Sequence, residues 1–109
     1  MKKFVQLVAL FVLVVFVTSL FAANTRDGRR KFRKNCYQMC HKKGVEIVPN
    51  SYTSSKWESY FANNMKKLKE VHKSGELEKS KLTDEELVNI HQYLIEHSLD
   101  SRAPETCEG

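Results

Sequence analysis

Apolar residues along this chain form one long block near the N-terminus and periodic stripes further on. In the clearest stripe, near the C-terminus, the apolar side chains fall on one face of a helix. Its members are Leu87, Ile90, Leu94 and Ile95. Thr83 and Glu86 precede it with the spacing of a capping box, so a helix is predicted to begin there.

A second stripe predicts a helix in the middle of the chain. Ser55 and Glu58 are three residues apart, which suits a capping box at its start. A stripe this wide must face other apolar groups, so this helix is expected to pack against the core. Its members are Trp57, Tyr60, Phe61, Met65 and Leu68.

A third helix is predicted before these two. Residues 29–36 contain neither Gly nor Pro, and Gly28, Phe32 and Cys36 recur at every fourth position, which places them on one helix face. Residues 49–51 carry a turn signal, and the tail 98–109 is predicted to be irregular. The chain is therefore expected to form an all-α domain.

The N-terminal block has the three parts of an export signal. Lys2 and Lys3 form the charged start, residues 4–21 are almost wholly apolar, and Ala22 and Ala23 are small residues at which a peptidase can cut. The apolar run is also nearly long enough to span a bilayer, so an uncleaved membrane anchor is the alternative. We therefore expect residues 1–23 to be a signal peptide or an anchor, and residues 24–109 to form one domain in the periplasm or otherwise outside the cytoplasm.

The size and charge of that domain limit its function. The hydrophobic core of a domain as small as residues 24–109 stabilises its fold only marginally, so a further stabilising element is expected. The formal net charge is +5, of which Lys2 and Lys3 belong to the leader. The other basic residues form no dense run interleaved with aromatic residues, which argues against nucleic-acid binding.

The candidate chemistry lies in one short segment. Cys36 and Cys40 are followed at once by His41, and such a set suits a covalently attached haem, because the thiols can add to the vinyl groups while the imidazole binds the iron. The common motif has two residues between the cysteines, whereas residues 37–39 intervene here. A disulfide, a zinc site and two unrelated thiols are the alternatives.

The pattern Gly28, Phe32, Cys36 leading into this motif resembles the N-terminal helix of the small single-haem cytochromes c of class I. The resemblance implies a helical domain wrapped around one covalently attached haem c. It also implies that Gly28 permits a close crossing with the C-terminal helix, where Phe32 meets Tyr93 and Leu94. The chain departs from the family in the extra residue between the cysteines and in the absence of an obvious Met-Pro ligand loop.

The resemblance also implies the iron ligands. His41 fills one axial position, and His72, at the end of the middle helix, is favoured over Met65 for the other. His91 and His97 lie on the C-terminal helix, which supplies no ligand in the family.

Two further residues have roles implied by the family. Trp57 is a candidate neighbour of the haem, with its ring NH near a propionate, although a place in the core is the alternative for it. Pro49 is a candidate for orienting the ligand histidine, and an ordinary loop proline is the alternative there.

Three functions follow from these features. An exported electron carrier, cycling between ferric and ferrous iron and meeting redox partner proteins, is favoured, and no enzyme activity is expected. A haem sensor or small peroxidase with an open iron site is the second. The third is a haem-free helical binding module, held by a disulfide or by zinc. In it Cys107 pairs with Cys36 or Cys40, or joins Cys36, Cys40 and His41 as the fourth zinc ligand.

Overall fold

A computed structural model describes residues 23–43 and 46–106. Nearly all of the export signal and Cys107 lie outside these residues. The described chain is helical and contains no strand, which confirms the all-α prediction. Its elements are α1 (Thr25–Lys31), a π-helix (Phe32–His41), a 3₁₀ turn (Pro49–Ser51), α2 (Ser54–Val71), α3 (Glu76–Ser80) and α4 (Asp84–Glu96). No helix among them is both long and apolar enough to cross a membrane.

The capping box predicted at the start of α4 is confirmed. The Glu86 amide donates to the Thr83 hydroxyl at 3.1 Å, and the Thr83 amide donates to the Glu86 carboxylate at 3.0 Å. The helix then buries Leu87, Ile90 and Leu94, together with Tyr93, which is fully inaccessible to solvent. The α4 helix is therefore the centre of the core.

Helices α1 and α4 cross at Gly28. A Cβ atom at this position would lie 2.0 Å from the backbone oxygen of Asn89, so only glycine permits this approach. Further along the contact, the ring centres of Phe32 and Tyr93 are 5.9 Å apart. The side chain of Asn89 also accepts a hydrogen bond from the Asn24 amide at 2.8 Å. The contact predicted between the N-terminal and C-terminal helices is thus confirmed.

Replacement of Gly28 by alanine is expected to destabilise the protein by about 3 kcal/mol, because the added methyl group forces the two helix backbones apart. Equilibrium unfolding in urea measures the change. Arg26→Ala, on the exposed side of the same helix, is the matched control and should shift stability by less than about 0.5 kcal/mol. Equal stability of the Gly28→Ala variant and the wild type would contradict the close crossing.

The start of α2 differs from the prediction. Its cap is Thr53, whose hydroxyl accepts from the Lys56 amide at 3.3 Å, so the proposed pair Ser55 and Glu58 is not the capping box. Thr53 has an extended backbone and precedes the first helical residue, as a cap requires. Ser55 already lies inside the helix.

The α2 helix is interrupted in its middle. Ala62 is extended, and Asn63, Asn64 and Met65 have φ angles of 53°, 57° and 63°, in the left-handed region. Asparagine tolerates this region better than most residues do, which favours a break at this position. The second half of the helix, which ends at Val71, therefore runs in its own direction.

Residues 98–106 of the tail contain no helix, as predicted, and hydrogen bonds and an ion pair fix them in place. The Glu105 amide donates to the His97 carbonyl, and the Asn50 amide donates to the Glu105 carbonyl. The Glu105 carboxylate pairs with Arg29 of α1 at 2.7 Å. The tail thus joins α1, the 3₁₀ turn and α4.

Candidate functional site

A cavity of about 270 Å³ lies among the π-helix, α2, α3 and α4, and the whole space between its walls, including the part open to solvent, is about 880 Å³. Its walls are mainly apolar and aromatic. Cys36, His41 and His72 are the lining residues whose side chains can bind a metal ion or react as nucleophiles. Two residues of the predicted attachment motif and the favoured second ligand thus face the same space.

The two cysteines differ in environment. Cys36 is partly buried in the cavity wall, whereas Cys40 is exposed, and both are free thiols. Burial, with a smaller contribution from the neighbouring Cys40, raises the pKa of Cys36 to about 12. Cys36 is therefore a protonated thiol at neutral pH, which makes it unreactive in the absence of a group that activates it.

The segment that carries the motif is wound as a π-helix from Phe32 to His41. The Lys42 amide at its end donates to the Tyr37 carbonyl, five residues back, at 2.7 Å. Such turns are wider than those of an α-helix and occur frequently at functional sites. The unusual winding therefore coincides with the unusual spacing of the cysteines.

His41 and His72 face each other across the cavity. Their ring centres are 6.1 Å apart, and the rings are nearly perpendicular, at 89°. His41 ends the π-helix and His72 ends α2. The two imidazoles thus come from helices that are far apart in the sequence.

The His72 ring has a defined tautomer. Its Nδ1 lies 2.7 Å from the Leu68 carbonyl, and because a carbonyl only accepts, Nδ1 must carry the proton. When this ring is neutral, its Nε2 atom keeps a lone pair. Histidines that bind metals commonly donate their second ring NH in this way, which fixes the ring and makes the ligand nitrogen more basic.

The other candidates for the second axial position lie elsewhere. Met65 is buried in the interruption of α2, and it does not line the cavity. His91 stacks on Phe61 with ring centres 4.5 Å apart, and burial lowers its pKa. The Nδ1 of His97 contacts the Ala103 carbonyl in the tail. His72 is therefore the one of these four that reaches the cavity.

Trp57 and Pro49, the two further candidates from the sequence, contact each other. Trp57 lines the cavity, but its indole NH donates to the Pro49 carbonyl at 2.8 Å in a buried position. Its ring also meets Tyr52 edge-on, with ring centres 4.9 Å apart. The Trp57 side chain therefore lines the cavity, while its indole NH links α2 to the 3₁₀ turn.

Some residues that line the cavity were not predicted as site residues from the sequence. Tyr52 lies between the 3₁₀ turn and α2, and Leu77 lies on the short helix α3, which begins after the left-handed Gly75. The Gly75 position and the acidic residues after it signal such a helix start. A five-residue helix has too little periodicity to be recognised in advance.

Among residues 23–43 and 46–106, no three acidic, histidine or cysteine side chains converge in a way that would hold a metal ion by themselves. No known family model, curated protein sequence or solved structure matches this chain. The assignment of a function therefore depends on the chain's own residues.

Proposed function

We propose that this chain is an exported single-haem c-type cytochrome that carries electrons between redox partner proteins. The observation that carries the proposal is the pair of imidazoles, His41 and His72, that face each other across an apolar cavity with Cys36 in its wall. This arrangement combines both kinds of group that a haem c requires, axial nitrogen ligands and thiols.

The separation of the two rings fits ligation of one iron. An imidazole nitrogen binds a metal ion at about 2.0 Å, which puts the ring centre roughly 3 Å from the ion. Two imidazoles on opposite sides of one ion therefore have centres about 6 Å apart. The observed 6.1 Å between His41 and His72 matches this value.

The cavity walls suit a large apolar ligand. The cavity volume of about 270 Å³ lies just below the usual ~300–1,000 Å³ of ligand pockets, and the space between its walls, including the part open to solvent, is about 880 Å³. The walls include Phe32, Trp57, Phe61 and Leu94, and such side chains exclude water from whatever they surround. Burial of a haem against them would add the apolar contact area that this small domain otherwise lacks.

Each residue then has a defined task. Cys36 and Cys40 would hold the haem through two thioethers, since each thiol can add its sulfur and hydrogen across one vinyl double bond without loss of an atom. His41 and His72 would supply the two nitrogen ligands to the iron, and the hydrogen bond from His72 to the Leu68 carbonyl fixes the His72 ring. When bound, the haem supplies one-electron exchange between ferric and ferrous iron. Two firm protein ligands favour electron transfer over catalysis at an open iron, so we assign no enzyme activity.

Location and partners complete the proposal. The leader, residues 1–23, takes the domain to the periplasm or cell surface, where its partners are other redox proteins, and the chain contacts a membrane only if the leader is retained. Bis-histidine ligation gives a lower reduction potential than ligation by histidine and methionine, so we expect donors and acceptors of low potential.

The optical spectrum of the purified full chain, oxidised and reduced, tests the proposal. We expect a c-type pyridine haemochrome, a low-spin spectrum and no near-infrared methionine-to-iron band. A protein without haem would overturn the assignment and leave a module held by a disulfide or zinc. A high-spin haem that binds added ligands at once would favour a sensor or peroxidase.

A further inference from the structure

The attachment segment combines two departures from the ordinary pattern. Three residues separate Cys36 from Cys40, and the same segment is wound as a π-helix. We propose that the π winding is the device that absorbs the extra residue, so that Cys36, Cys40 and His41 keep the relative directions that a two-residue gap gives in an α-helix. The role of these three side chains in holding haem rests on the proposed function.

The α-helix shows why compensation is needed. Each residue of an α-helix turns by about 100°. With a two-residue gap, the second cysteine and the histidine lie at about −60° and +40° from the first cysteine, on one side of the helix. With a three-residue gap they move to about +40° and +140°, so the histidine turns away from the first cysteine.

The π-helix restores the arrangement. With hydrogen bonds that span five residues and roughly 4.4 residues per turn, each residue turns by about 82°. Cys40 then lies at about −30° and His41 at about +50° from Cys36, close to the positions of a two-residue gap. The observed bond from Lys42 to Tyr37 is such a five-residue bond.

Tertiary contacts hold the segment at both ends. On the N-terminal side, Phe32 packs on Tyr93 of α4. In the middle, the Asn35 side chain donates to the Ser80 carbonyl of α3 at 2.9 Å. At the C-terminal end, His41 faces His72. Because these contacts fix both ends of the segment, an extra residue cannot be accommodated by a shift of the helix along its axis. The extra residue widens the helical turn instead.

Gln38, which we take as the extra residue, makes few packing contacts. Gln38 is exposed, as are Met39 and Cys40 beside it. Its removal gives the gap of two residues and makes the pair Lys42 and Tyr37 four residues apart. The same donor and acceptor would then form an α-helical hydrogen bond.

The test compares the full-length wild type with two single-residue deletions. Deletion of Gln38 should retain both thioethers, counted by mass spectrometry, and should shift the unfolding midpoint by less than about 5 °C. Deletion of Lys34, an exposed residue of the same π-helix outside the gap, is the matched control. It disturbs the register of Phe32 with Cys36 and should lower the midpoint by more than about 10 °C.

A second measurement is independent of haem. Scalar couplings across hydrogen bonds, measured by NMR on isotope-labelled protein in a diamagnetic state, should pair the Lys42 amide with the Tyr37 carbonyl in both the wild type and the Gln38 deletion. Pairing with the Gln38 carbonyl in the wild type would overturn the proposal, as would loss of a thioether on deletion of Gln38. A wild type that carries no haem would refute the proposed function, and the couplings would still decide the winding.

Discussion

Replacement of His72 by alanine is expected to convert a low-spin haem into a high-spin one. In the wild type, the ring centres of His72 and His41 are 6.1 Å apart, and the Nδ1 of His72 is hydrogen-bonded to the Leu68 carbonyl. Removal of this imidazole leaves one axial position without its protein ligand, and a water molecule there gives a weaker ligand field. The optical spectrum of the oxidised variant measures the change.

Added imidazole should restore the low-spin spectrum of the His72→Ala variant, because the substitution leaves room for it in the cavity. His97→Ala is the matched control, since His97 contacts the tail and lies away from the cavity. Its spectrum should equal that of the wild type. An unchanged spectrum in His72→Ala would remove His72 from the iron, and a near-infrared methionine band would transfer the role to Met65.

Replacement of Cys36 or of Cys40 by alanine is expected to leave one thioether, and replacement of both should leave none. Each thiol forms one bond to the haem, so denaturation in acidified organic solvent should release all haem from the double variant and none from the wild type. Mass spectrometry of the denatured chain counts the remaining bonds. Cys36→Ala should be the less stable single variant, because Cys36 lies in the cavity wall whereas Cys40 is exposed.

Cys107 provides the control for this series. It lies outside the described residues, and the proposal gives it no bond to the haem. The Cys107→Ala variant should therefore retain both thioethers. If either single variant at Cys36 or Cys40 still carried two covalent bonds, the attachment assignment would be wrong.

Local chemistry explains why parts of the fold could be predicted. The start of α4 depends on Thr83 and Glu86, which are three residues apart and satisfy each other's backbone amides. Gly28 marks the close helix crossing, because a helix that leaves out a side chain at one point can approach another backbone there. Both signals depend on residue types at short, fixed spacings.

The start of α2 and its interruption could not be predicted from residue spacing. Thr53 and Ser55 are both capping residues, and the helix begins after Thr53, so the earlier one serves as the cap. The stripe from Trp57 to Leu68 suggests one continuous helix, yet it is broken between Ala62 and Met65. A run of left-handed residues persists only where the surrounding structure favours it, which a periodic pattern cannot express.

The sequence by itself determined the helical class, and it identified the candidate attachment cysteines and a short list of candidate iron ligands. It favoured His72 over Met65 because His72 follows the end of the predicted helix, but spacing alone could not show which of the two side chains lines the cavity. In the tertiary structure the ring centres of His72 and His41 are 6.1 Å apart, and Met65 does not line the cavity. The tertiary structure also set the π winding of Phe32–His41. Both outcomes depend on how separate helices are placed by long-range packing, whereas spacing along the chain describes only one helix at a time.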